Sequence, residues 1–113
     1  MPGYITLRDD GVYPYQGDAD SVIRSDTDPS ELVDLIHLEH VEIYFTSVTD
    51  GKGFAMARKF RKLGYEGHLR AAGHVIQDQY DEARRSGFDE LLIRAELFHL
   101  REEPEKDEVG ISP

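Results

Sequence analysis

Three short runs rich in β-branched and aromatic residues alternate with two amphipathic stretches of helical length, and this alternation constrains the fold more than any other feature of the chain. Val41-Glu42-Ile43-Tyr44-Phe45-Thr46 reads as a strand, because such residues fit a pleated, half-buried surface. From Gly53 to Leu63, Met56, Ala57, Phe60 and Leu63 share one side while Arg58, Lys59, Arg61 and Lys62 lie largely on the other, the period of an amphipathic helix that Gly64 stops. Leu69 to Ala72 is a second short strand running into Gly73. A helix then follows from about His74 to Ser86, with Ile76, Tyr80 and Ala83 on one face and Gly87 at its end. Glu90 to Ala95 completes a β-α-β-α-β core. Strands and helices of these lengths in alternation imply parallel pairing and right-handed crossovers, an α/β fold.

The flanks read differently. Residues 4 to 15 form two β-prone runs around Asp10-Gly11, a dipeptide that supplies the positive φ of a tight turn, and predict a small N-terminal β-hairpin at a sheet edge. Residues 16 to 27 lack a sustained apolar period and read as a loop. Asp28-Pro29-Ser30-Glu31 combines a side-chain acceptor, a proline for the first turn and an acid that can reach back, predicting a short helix to about His37 with Leu32, Leu35 and Ile36 inward. A single domain is therefore expected over residues 1–100, with its core at 28–96. Residues 101–113 are expected to be an acidic flexible tail, since Arg101 to Glu108 holds no apolar residue. Leu97, Phe98 and Leu100 just before it are candidates for a seal over the poorly covered face of a three-stranded sheet or for a subunit contact, which makes a homodimer the expected assembly.

A net charge of −10 repels phosphate backbones and anionic lipid, so neither nucleic acid nor a membrane is an expected partner. The chain has no cysteine, which excludes disulfides, Cys-ligated clusters and thiol nucleophiles. Its first residues form no apolar run of signal-peptide length, and no segment approaches the roughly 20 apolar residues of a membrane span. A cytoplasmic location is the expectation.

In open parallel sheets, ligands gather beyond the carboxyl ends of the strands. Asp50-Gly51-Lys52-Gly53, after the first core strand, joins two glycines to a lysine; it suits either a small anion or an ordinary strand-to-helix turn. Arg70 stands inside an apolar strand, where charge must be paired or aimed at a rim, with Asp78 or Glu96 as candidate partners. His74 is either a titrating group or a cap, and Asp78 and Gln79 extend a polar surface one turn on. His74, Arg70 and Asp78 are thus the catalytic candidates. Asp50, Gly51, Lys52, Gly53, Arg70 and Gln79 are the ligand-binding candidates. His37, His40, His68, His74 and His99 show no local metal-binding spacing, so no metal centre is expected.

Several segments together carry a resemblance: Thr49-Asp50-Gly51-Lys52-Gly53-Phe54, Ala57-Arg58, Gly64 through Ala71, Gly73-His74-Val75, Asp78-Gln79 and Arg85-Ser86-Gly87-Phe88-Asp89. Over roughly residues 26 to 94 they resemble a bacterial family catalogued as domain of unknown function 934. The chain departs from the family pattern at Lys52, where Arg is usual, at His74, where an acid is usual, and at Ser86, often Cys. The family's longer C-terminal helix is replaced by the acidic tail.

The resemblance implies a link with assimilatory sulfite reduction, because family members are commonly encoded beside sulfite reductase and labelled probable oxidoreductases on that ground. No flavin, nicotinamide or haem signature accompanies it, and no cofactor is expected. Three functions follow: an accessory protein of sulfite assimilation that binds a small oxyanion or docks on the reductase; a small enzyme using His74, Arg70 and Asp78; or a non-catalytic interaction module contacting another protein.

Overall fold

The computed structural model describes residues 3–47 and 51–98. Six strands form one sheet: β1 (Tyr4–Arg8), β2 (Gly11–Pro14), β3 (Ser21–Arg24), β4 (His40–Phe45), β5 (His68–Gly73) and β6 (Glu90–Arg94), with helices α1 (Lys52–Lys62) and α2 (Tyr80–Ser86) between the last three. The strand order is β2-β1-β6-β5-β4-β3. Strands β3 to β6 run parallel, while β1 is antiparallel to both β2 and β6. The fold is α/β, with the expected β-α-β-α-β core and N-terminal hairpin.

The chain steps from β3 to β4 to β5 to β6 in one direction across the sheet. Right-handed crossovers made in one direction place every connection on the same face. That face accordingly holds the core: Val41, Ile43 and Phe45 from β4, Leu69 and Ala71 from β5, and Leu91 and Ile93 from β6 pack with Phe54, Met56, Ala57 and Phe60 of α1 and with Phe88. Alternation along each strand then sends His40, Glu42, Tyr44, His68, Arg70, Ala72, Glu90 and Leu92 to the opposite face, which no helix among the described residues covers.

Three expectations are corrected. The segment taken as a loop contains β3, a sheet edge in which Ile23 packs on the core and Val22 is 55% exposed; its four residues are too few to show a period. The turn of the hairpin is Asp9-Asp10 rather than Asp10-Gly11, with Arg8 opposite Gly11; the hairpin lies at the sheet edge as expected, β2 outermost and β1 joined to β6. The helix expected from His74 begins at Tyr80, after a 3-10 turn at Gln77–Gln79. The chain bends at His74 instead, with His74 N–H donating to the Phe45 carbonyl and Val75 N–H to the Gly73 carbonyl, before Ile76 turns extended; Val75 is buried.

The short helix after Asp28 is a 3-10 helix, Pro29–Leu35, in which Asp28 accepts from the Ser30 amide as its sequence requires. Leu32 is fully buried and Ile36 is exposed. Leu63, expected inward, caps α1 and is exposed. Phe98 packs against the core, Leu97 faces solvent, and Leu100 and the tail lie outside the described residues.

Candidate functional site on the uncovered sheet face

Polar side chains occupy successive positions across the uncovered face because the strands are in register. Glu42, Arg70 and Glu90 form one row across β4, β5 and β6, and His40 lies opposite His68 in the adjacent row. Arg70 donates from Nε to Glu42 Oε1 at 2.8 Å, and its Nη2 lies 2.6 Å from the same oxygen. Its Nη1 donates to the Gly17 carbonyl at 2.9 Å, and the Tyr15 ring lies over the guanidinium. Arg70 and Glu90 are each 1% exposed. A charge withdrawn this far from water is tolerable only because its partners are opposite it. Those partners are Glu42 and Glu90, not the Asp78 or Glu96 expected from the sequence.

Towards the amino ends of the parallel strands, Glu90 gathers four cationic or imidazole groups. Its Oε1 accepts from Arg8 Nε at 2.7 Å and lies 2.9 Å from His68 Nε2; its Oε2 lies 3.8 Å from Arg70 Nη1 and 3.9 Å from His40 Nε2. Burial works against ionisation of Glu90, but the close polar contact of His68 and the Arg8 hydrogen bond outweigh it and hold the carboxyl below the usual carboxylate range. Burial, and after it the charge of Arg70, lowers the pKa of His40. The two imidazoles meet edge to face, with ring centroids 4.9 Å apart.

Towards the carboxyl ends the same face becomes apolar. A groove of about 240 Å³ is walled by Tyr4, Tyr15, Asp18, Val22, Tyr44 and Leu92, with Glu42 and Arg70 in its floor. The other candidates lie elsewhere. Lys52, the first residue of α1, borders a cleft of about 520 Å³ with residues 25–29 and Lys59. Gly53 is fixed by packing, since a Cβ there would stand 2.3 Å from the Phe45 ring. Gly51 precedes α1 in ordinary right-handed geometry, and Asp50 lies outside the described residues.

The exposed His74 ring meets Tyr44 at 6.3 Å, whereas Asp78 borders a third cleft with Arg8, Asp9, Val12 and Tyr80. Gln79 accepts from the Ile76 amide at 2.9 Å, closing the turn before α2. Thus Arg70, His74 and Asp78 are not assembled into one site, and Lys52 does not share a cavity with Arg70. The cluster of His40, His68 and Glu90 escaped the sequence reading because its members are distant in the chain. The signal available was parity, since His40-x-Glu42 and His68-x-Arg70 place polar pairs on one face of strands that pair, where Glu90 joins them.

These features define a small α/β protein whose sheet is covered by helices on one face and carries its polar and aromatic groups on the other. The chain belongs to DUF934, a family of bacterial proteins of unknown function, which it matches over residues 21–106. No curated protein and no solved structure gives a match. Among the described residues, no helix is long and apolar enough to cross a membrane.

Proposed function

We propose that the chain is a cytoplasmic accessory protein of bacterial assimilatory sulfite reduction that works by docking on another protein, with the sulfite reductase as first candidate. The sulfite link rests on the company that members of the family keep. The choice of docking over chemistry rests on one observation: Arg70, the cation in the aromatic groove, already has its charge taken up by Glu42 and an Nη1 N–H by the Gly17 carbonyl. A small oxyanion at Arg70 would meet two buried carboxylates. What the groove offers a partner is aromatic and aliphatic surface, with Tyr44 39% and Val22 55% exposed. Aromatic anchors around a desolvated centre are what protein interfaces use.

The test mixes the purified chain with the reductase and with sulfite, separately. Co-elution with the reductase, together with an unfolding midpoint that sulfite leaves unmoved, supports the reading. A midpoint raised by millimolar sulfite, with no co-elution, overturns it. Light scattering on the chain alone measures whether a second copy takes the same face, the occupant that the expected homodimer would supply.

A further inference from the structure

Among the described residues, four buried side-chain atoms have no hydrogen-bond partner: Thr6 Oγ1, His40 Nε2, His68 Nε2 and Glu90 Oε2. Buried polar atoms are rarely left so, because each loses its water without replacement. All four lie on the uncovered sheet face, and three belong to the residues that converge at its amino end. His68 Nε2 approaches Glu90 Oε1 to 2.9 Å, an ion-pair contact that lacks the alignment of a hydrogen bond.

One ligand atom from each of His40, His68 and Glu90 lies within 4.8 Å of the others. A tetrahedral zinc site with bonds near 2.1 Å sets its ligand atoms about 3.4 Å apart. His68 Nε2 lies 2.9 Å from Glu90 Oε1 and His40 Nε2 lies 3.9 Å from Glu90 Oε2, so each imidazole faces its own carboxylate oxygen at separations either side of that value. The geometry points to a mononuclear site for a divalent first-row transition ion, held by His40, His68 and Glu90 with a fourth position open to water.

Three further observations fit. His68 Nδ1 faces Asp89 Oδ2 at 3.8 Å, and a carboxylate on that side favours the tautomer whose Nε2 lone pair faces the cluster, as outer partners of metal-binding histidines do. Asp89 is itself fixed by Arg61 and by the Leu69 amide. The His40 and His68 side chains are 22% and 35% exposed, which leaves an entry path. The adjacent arginines oppose a cation, but Glu42 takes up the charge of Arg70, and Arg8, with a side chain 33% exposed, can turn to solvent. Two imidazoles and one carboxylate suit Zn²⁺ or Fe²⁺ rather than Mg²⁺ or Ca²⁺. The inference is independent of docking at the opposite end of the face.

The experiment titrates the metal-free full chain with Zn²⁺, with Co²⁺ and, anaerobically, with Fe²⁺. Expected are saturation at one equivalent, a raised unfolding midpoint and visible Co²⁺ absorption stronger than that of the aqueous ion. His68→Asn and His40→Asn should each weaken binding by at least the 10- to 100-fold that loss of an outer partner alone costs, while His74→Asn leaves it unchanged. Absence of saturable binding in the unmodified chain overturns the inference whatever the variants do. So does undiminished affinity in folded His40→Asn and His68→Asn, since the ion would then sit elsewhere.

Discussion

Glu42 and Arg70 stand directly opposite one another on neighbouring parallel strands, 2.8 Å apart at Nε and Oε1, with the arginine side chain 1% exposed. Removing one partner of such a pair strands the other charge. Arg70→Met is therefore expected to destabilise the fold by about 3–5 kcal/mol. The double variant Glu42→Met/Arg70→Met should regain part of the loss, because two apolar groups of similar volume carry no desolvated charge. Urea denaturation of the three proteins measures both terms. Equal destabilisation in the single and double variants would mean that packing, not charge, sets the value of Arg70.

Gly53 is a packing glycine. Adding a Cβ against the Phe45 ring overpacks a dense core, and Gly53→Ala should cost about 1–3 kcal/mol. Phe45→Leu in the Gly53→Ala background should be less harmful than Phe45→Leu alone, a coupling that a double-mutant cycle reads. Additive effects would release the glycine from that contact and reopen a role for the turn before α1.

The Tyr65 phenol is 2% exposed, and burial raises its pKa to about 12 from the ordinary 10.0. The folded chain holds this group neutral where the unfolded chain ionises it. Its contribution to stability is thus fully present below pH 10 and disappears as the pH climbs to about 12. Tyr65→Phe loses the hydrogen bond to the His68 carbonyl, at about 1 kcal/mol, but its stability should fall less steeply over that window. Parallel alkaline limbs for the two proteins would contradict this.

At the other end of the pH scale, Asp9 ties the hairpin turn to α2 by accepting from Arg84 and Tyr80. The hydrogen bonds from Arg84, and then from Tyr80, hold its carboxyl below the ordinary 3.8. The tie therefore contributes above the ordinary carboxylate range and fades as the pH drops through the lowered value. Asp9→Asn should raise amide exchange in β1 and β2 at neutral pH and remove the acid-dependent part of that exchange. Unaltered exchange would show that pairing of β1 with β6 suffices to hold the hairpin.

The core was legible because β4, α1, β5 and β6 each carry enough residues to display a period, and because Gly64 and Gly87 end their helices where the pattern breaks. The left-handed φ of 100° and 114° at these two glycines is the physical reason. The edge strand β3 was not legible, since Ser21–Arg24 is held by pairing with β4 and by Asp20 accepting from the Glu39 and His40 amides, both supplied from a distance. His74 and Asp78 looked like neighbours on a helix, but the chain bends at His74 and is extended at Ile76, so the spacing of a helical turn does not apply. The charged row across the face depended on register, which a strand read alone does not reveal.

Docking through the aromatic end of the uncovered face is tested most directly by titrating the purified sulfite reductase with the unmodified chain and with Tyr44→Asp, whose exposed position spares the core. Saturable binding by the unmodified chain, weakened at least 10-fold in a Tyr44→Asp protein that unfolds at the same temperature, is the predicted result. Identical binding by the two proteins, or no binding by either, would contradict it.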